Sequence, residues 1–421
     1  MSSPWVASVL AGFIVLPSAA RSAEPSPSRP DAARPSAQGQ GPEQQDAEAR
    51  KKLEAEIAKE LGQGGAKTAA PAGEGAAAQG RPASAAAAQA GAGGNPMARL
   101  LLLPDISAIG SFATAYDGYD VERRSPREGP FGPKDRPAFR FEEVELGLQS
   151  VIDPYARADI FVSFTPGGVD VEEAYLTTLD LPAGLQVKAG KFFSPFGRQN
   201  QQHPHVWDFV DAPLARGRLL AGETLSGTGV DLAWLAPLPW FAELQLAAQN
   251  TAPTAADADR LTGFARLLQY FPVAEGTTLG LGLSGARRSE GTGAFRDLGA
   301  VDLYVRARPL ASRGYVTLQA ELYTRRFRNV EGESGTGGYA QLFVRKGAYH
   351  GYGIRYDRAP AAGEAAPGTE ERFGALGIWY PSEFQRIRLQ LSYDRAPDGR
   401  DGLEALLALE FGIGSHGAHP F

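Results

Sequence analysis

Beyond Leu100 the chain alternates apolar and polar residues with a period of two. In "VDLYVRARP", Val301, Leu303, Val305 and Ala307 are apolar, while Asp302, Tyr304, Arg306 and Arg308 between them are mostly polar. "YVTLQAELYTRR" sets Val316, Leu318, Ala320 and Leu322 against Thr317, Gln319, Glu321, Tyr323 and Arg325. "RIRLQLSYD" sets Ile387, Leu389, Leu391 and Tyr393 against Arg386, Arg388, Gln390, Ser392 and Asp394. The same grammar runs through "EEVELGLQSVI", "ARADIFVSF", "LQVKAGKF", "TTLGLGLSGA", "GYGIRYD" and "LEALLALEFGI". Successive side chains of a strand point to opposite faces, so this pattern puts one face in apolar surroundings and the other in water.

There are about sixteen such segments, an even number as in bacterial single-chain barrels. Long polar junctions such as "DGYDVERRSPREGPFGPKDRP", "NTAPTAADADR", "ARRSEGTGAFRD", "RFRNVEGESGTGG" and "RAPAAGEAAPGTEE" alternate with short ones such as "DLPAG", "APLP" and "YPSE". Long loops at one end and tight turns at the other are the mark of an outer-membrane barrel. The expected fold is all-β, a transmembrane antiparallel β-barrel of about 16 strands over residues 99–421, its apolar face turned to outer-membrane lipid. Tyr116, Phe164, Trp234, Trp240, Tyr270, Tyr315, Tyr349, Tyr356, Trp379 and Tyr380 near strand ends fit interfacial girdles. Phe421 closes the chain with the terminal aromatic that barrel-assembly machinery recognises.

The first hundred residues read differently. Val6 to Leu16 is an apolar run too short to span a bilayer as a helix, followed by small residues. Residues 1–23 are expected to be a secretory signal peptide, cut near Ser18-Ala19-Ala20. Residues 24–98 are Ala, Gly, Pro, Gln and Ser, too poor in apolar surface to offset their ordering entropy, and read as a disordered periplasmic segment. Residues 43–61 are its exception, a short helix with Leu53, Ile57 and Leu61 on one seam and Gly62 as its stop.

Composition narrows the function. The chain has no cysteine, which excludes disulfides, thiolate metal sites and Cys nucleophiles, and its formal charge of −6 offers nothing to nucleic acid. No GxSxG, HExxH or phosphate-loop pattern is present, so neither an enzyme nor a cofactor is expected.

"LPDISAIGSF", "VELGLQSVIDPYARADIFVSF", "VEEAYLT" and "VKAGKFFSPFGRQNQQHPH" resemble a family of porin-like outer-membrane proteins related to the phosphate-selective porins, in which a "GKF…PFG" element ends an early strand. Some members of that family are labelled zinc-regulated TonB-dependent receptors. The resemblance covers roughly residues 100–235. It implies a passive sixteen-stranded channel for small hydrophilic solutes or ions, assembled as a homotrimer. The lysine ladder of the phosphate-binding members is not matched: Lys188, Lys191 and Lys346 are the lysines of the strand pattern. The alternative, a TonB-dependent receptor or zinc-related uptake protein, requires a folded plug and about 22 strands.

Two sets of residues carry the expected site. On the water-facing positions lie Arg306, Arg308, Arg325, Arg355, Arg386 and Arg388, a pore wall expected to give weak anion preference, with a cross-strand salt-bridge network as the plainer reading of the same residues. "GKFFSPFGRQNQQHPHVWDFVDAP", residues 190–213, belongs to the third and longest external loop, expected to fold into the lumen and constrict it. Phe192, Phe193, Phe196, Trp207 and Phe209 would anchor that loop, placing Arg198, His203, His205, Asp208 and Asp211 near the narrowest point. His203 and His205, with Asp208 or Asp211, form at most a weak zinc site, and the expectation is that the histidines bond to the wall instead.

Overall fold

The computed structural model describes residues 104–117, 139–220, 224–251, 260–291, 293–309, 312–332, 334–361, 368–397 and 401–414. The expected signal peptide, the segment 24–98 with its helix, and Phe421 lie outside the described residues. Sixteen strands follow one another: β1 Asp105–Asp117, β2 Arg140–Asp153, β3 Ala156–Thr165, β4 Gly168–Thr178, β5 Leu185–Phe193 and β6 Ser226–Leu235. Then come β7 Phe241–Asn250, β8 Leu261–Ala274, β9 Thr277–Gly291, β10 Ala294–Ala307 and β11 Tyr315–Arg328. The set ends with β12 Gly335–Lys346, β13 His350–Pro360, β14 Thr369–Ser382, β15 Gln385–Arg395 and β16 Gly402–Gly414. Each pairs antiparallel with its sequence neighbours, and β1 closes the ring on β16 from Ser107↔Gly414 to Asp117↔Glu404. Closure leaves no unpaired sheet edge, which is what lets strands live in hydrocarbon. A count of sixteen falls short of the roughly 22 strands that a plugged TonB-coupled transporter needs.

The alternation is inverted relative to a soluble protein. Leu283, Leu322 and Ile354 point outward and are 59%, 55% and 61% exposed, while Gln249, Asp302 and Arg372 point inward and are at most 2% exposed. Two of the junctions expected to be long are tight. Strands β9 and β10 run through "ARRSEGTGAFRD" as far as Gly291 and from Ala294, because Arg287 and Asp297 face each other across the pair and extend the ladder past the apolar belt. Likewise β3 and β4 turn at residues 166–167. Three of the expected girdle aromatics sit elsewhere: Tyr270 accepts a hydrogen bond from Arg198, Tyr315 lies under Arg306 and Tyr380 under Arg345, all on the lumen face.

Two of the register shifts along the described strands are β-bulges on the β2–β4 wall. On β2 the register passes from Ser111↔Glu143 to Phe112↔Phe141, so Glu142 is an extra residue. On β4 it passes from Phe161↔Glu173 to Val162↔Val171, so Glu172 is extra. An extra residue re-aims its neighbours. Here it turns the adjacent acids Glu142 and Glu143, and Glu172 and Glu173, to the lumen together.

Candidate functional site

The described residues of the segment 194–225 between β5 and β6, 194–220 and 224–225, lie against the inward-facing side chains of the wall. Its first bend needs Gly197, whose φ of +61° is disfavoured for other residues and whose missing Cβ leaves room for Glu321 Oε2, which would stand 2.5 Å away. Glu321 is the receptor for this bend. It accepts the backbone N–H groups of Arg198 and Gln199 at 2.9 and 2.6 Å, and the hydroxyls of Tyr323 and Tyr339 at 2.9 and 2.7 Å. A buried loop backbone without such partners would leave several donors unsatisfied. Asn200 closes the neck of the segment, donating to the carbonyls of Ser194 and Leu225 and accepting from the Leu225 N–H.

Where the segment packs, the lumen face turns apolar. Phe196 and a short helix, α1 (Leu214–Leu220), bury Leu214, Ala215, Leu219 and Leu220 against Phe264, Leu298, Tyr323, Tyr339 and Ala359. Phe209 packs on Phe343, Leu376 and Ile378, and Val210 on Ala113, Ala115, Leu406 and Ala408. These anchors touch strands from β1 round to β16, so the segment crosses the lumen.

Polar bonds fix the far side. Asp211 accepts from Arg355 at 2.6 Å, from Gln390 at 2.7 Å and from Arg372. Burial alone would raise the Asp211 pKa, but Arg355 and Arg372 outweigh it and hold the carboxyl below its usual range. Arg386 donates to the carbonyls of His205 and Trp207, and Arg388 to those of Trp207 and Phe209, while both pair with Glu410. Three of the expected wall arginines, Arg355, Arg386 and Arg388, therefore hold the loop. Arg325 reaches the Leu219 carbonyl, and Arg306 and Arg308 stand at the tight-turn end. Asp208 lines a cavity of about 90 Å³ with Arg198, Tyr304, Arg306 and Arg355. Burial pushes its carboxyl up to about 6, against the pull of Arg386, Arg388, Arg198 and Arg345.

The two histidines go to the opposite wall. His203 places Nδ1 2.9 Å from Glu145 Oε2 and 3.0 Å from Glu172 Oε2, and Nε2 2.8 Å from Glu173 Oε2. His205 Nδ1 stands 3.3 Å from the same Glu145 oxygen. Phe161 and Phe193 flank the His203 ring at 5.1 and 4.5 Å between centroids. Burial lowers the His203 pKa, yet the hydrogen bonds to Glu145, Glu172 and Glu173 outweigh it, and the net shift is well upward. Neither Asp208 nor Asp211 joins the histidines: Asp211 is taken by Arg355 and Arg372, and the third group able to share an ion with His203 and His205 is Glu145, their ligand atoms all lying within 4.8 Å of one another. Sequence reading missed Glu145, Glu172 and Glu173, and on the other wall Glu321 and Arg372. The doubled acids of "VEEAYLT" were the available signal, since two neighbouring charges cannot both face water in a regular strand.

Two of the cavities around the segment differ in character, and a third of about 510 Å³ sets Asp159, Glu173, Asp231 and Glu243 against Arg157, Lys188, Arg198 and Arg266. Toward the long-loop end lies a cavity of about 400 Å³ with Glu142, Glu143, Asp170, Glu172 and Glu410 in its lining, against Lys191, Arg216 and Arg388. At the tight-turn end Arg306, Arg308, Arg313 and Arg345 face a cavity of about 770 Å³ whose single acid is Glu383.

No family model matches the chain. An uncharacterized protein of Aquifex aeolicus (strain VF5) is 31% identical to it, the match covering 78% of this chain and 82% of that one. Among solved structures, Pseudomonas putida OprB superposes with a TM-score of 0.52 at 11% identity, covering 74% of this chain and 94% of its own. An anion-selective porin from Comamonas acidovorans gives 0.52 at 10% identity, with 74% and 99% covered. The outer membrane channel DcaP of Acinetobacter baumannii gives 0.50 at 11%, with 74% and 97% covered. At these identities the likeness establishes a porin-like barrel fold, and reaches neither the phosphate-selective nor the zinc-regulated group named from the sequence.

Proposed function

The chain belongs to one family with the Aquifex aeolicus protein, and from that membership and its porin fold we propose that it is an outer-membrane channel for passive diffusion of small hydrophilic solutes or ions. The observation that carries the reading is the polar lumen inside a closed, outwardly apolar barrel. Such a wall suits hydrocarbon on one side and a wetted path on the other. The segment 194–225 is the constriction, with Asp208 and Asp211 against one wall, His203 and His205 against the other, and Arg198 in the lining of a cavity on each side. Its bonds to Glu321, Arg355, Arg386 and Arg388 support a fixed obstruction rather than a swinging one.

Weak anion preference rests on the tight-turn mouth, where four arginines face one acid. The acids of the opposite cavity act against it, which keeps the preference weak. Planar-bilayer recording of the purified full chain tests the function. Stable ohmic steps are expected, with a reversal potential on the anion side in a salt gradient. A barrel that inserts and carries no current at any voltage would remove the channel reading.

A further inference from the structure

Five ionisable groups from three separate parts of the chain meet where the crossing segment touches the β2–β4 wall. Glu145 comes from β2, Glu172 and Glu173 from the bulge in β4, and His203 and His205 from the loop. Glu145, His203 and His205 are 2%, 1% and 6% exposed. Glu145, His203 and His205 thus form a buried group whose ligand atoms are close enough to share one cation.

The atoms are arranged as ligands and support. Glu145 Oε2 and Glu172 Oε2 both converge on His203 Nδ1, at 2.9 and 3.0 Å, and Glu145 Oε2 also lies 3.3 Å from His205 Nδ1. In a tetrahedral zinc site with bonds of about 2.0–2.1 Å, ligand atoms stand about 3.3 Å apart. Glu145 Oε2 lies 2.9 Å from His203 Nδ1 and 3.3 Å from His205 Nδ1, and the ligand atoms of the three residues all lie within 4.8 Å of one another. His203 Nε2 meets Glu173 Oε2 at 2.8 Å, the carboxylate–histidine support that orients a metal-bound imidazole. Phe161 and Phe193 hold the ring plane. His205 and Glu172 line the cavity of about 400 Å³ at the long-loop end, which gives an ion a route in.

The geometry points to a binding site for one divalent cation of the zinc class, with His203, His205 and Glu145 as ligands, Glu172 at its edge and Glu173 as the residue that positions His203. The two imidazole nitrogens favour zinc over magnesium or calcium, which take oxygen ligands. The ion would staple the loop to the wall at the partition between the outer and inner cavities.

Zinc and cobalt binding to the purified full chain in detergent tests this without reference to current. One equivalent of Zn²⁺ should survive dialysis, and Co²⁺ in its place should show the intense visible bands of a four-coordinate centre. Glu145→Gln and His205→Gln should each weaken Zn²⁺ on the order of 100-fold, and Glu173→Gln about 10- to 100-fold. Heat-modifiable migration shows that each variant is still a folded barrel. Wild-type chain that retains no zinc overturns the proposal. So does zinc retained unchanged by the double variant His203→Gln, His205→Gln, since the ion would then sit elsewhere. A chain that conducts yet binds no zinc leaves the channel standing and removes the metal site.

Discussion

Asp211 on the crossing segment and Arg355 on β13 meet at 2.6 Å with side chains only 5% and 1% exposed. The pair does not stand alone, since Asp211 also meets Arg372, and Arg355 also meets Asp357 at 2.8 Å. An ion pair this deep is worth little when compared with an apolar replacement, but breaking it by removing one partner strands the other charge. The junction therefore acts as a latch whose failure is costly.

Asp211→Asn should release that latch. Arg355 keeps Asp357 and Arg372 keeps Asp394, so the loss is that of the charge-assisted bonds to Asp211, about 1.5–3 kcal/mol each, enough to loosen the far side of the segment. Single-channel conductance should rise and the open-channel current should become noisy. A trace indistinguishable from wild type would mean that Phe209 and Val210 anchor the segment without help.

Deleting residues 199–211 removes the crossing portion while leaving the strands intact. Conductance should increase several-fold, because the obstruction and not the barrel wall would have set the resistance. Unchanged conductance in bilayers would show that ions travel by a route the segment does not narrow.

Selectivity should depend on pH through Asp208, whose carboxyl is pushed up to about 6 by burial. The groups facing it are Arg386 and Arg388 from β15, Arg345 from β12, and Arg198 from its own segment, with Tyr304, Tyr315 and Tyr380 around them. Arginine stays charged and tyrosine neutral between about pH 5 and 7.5. Protonating Asp208 on the acid side of its pKa removes a negative charge, so anion preference should grow as pH falls through about 6. Reversal potentials across that range should shift in the wild type. In Asp208→Asn they should start at the acid value and stay there; an Asp208→Asn variant that shifts as much as wild type assigns the titration to another group.

Arg306→Glu together with Arg345→Glu should move the reversal potential toward cations with little change in conductance. These arginines lie over Tyr315 and Tyr380 and line the tight-turn mouth, and neither holds the crossing segment. The corresponding change at Arg386 and Arg388 should alter conductance as well, since both bind loop carbonyls. If the mouth variant leaves selectivity untouched, the charge that ions sense lies deeper.

The barrel was legible because one-sided burial writes a period of two directly into strands such as β10, β11 and β15. The anchoring of the loop was not, because Glu321 and the backbone of Arg198 and Gln199 are more than a hundred positions apart and nothing local marks them as partners. Arg386 and Arg388 bond to loop carbonyls, and a face assignment from sequence does not say whether a guanidinium meets an ion or a carbonyl. Tyr270, Tyr315 and Tyr380 misled for a related reason: an aromatic near a strand end suits either the interface or the pore, and only strand parity separates the two. Glu142 and Glu172 escaped because a bulge is a deliberate break in that parity.

Those bulges carry a wider consequence for how the wall can vary. Each absorbs one surplus residue as a one-residue shift in register, after which pairing continues from Phe112↔Phe141 in β2 and from Val162↔Val171 in β4. Losing Glu142 or Glu172 outright would restore plain alternation and leave the ring closed as before. The lumen's charge can thus be edited one residue at a time by length as well as by substitution, and the hoop that contains it need not be rebuilt.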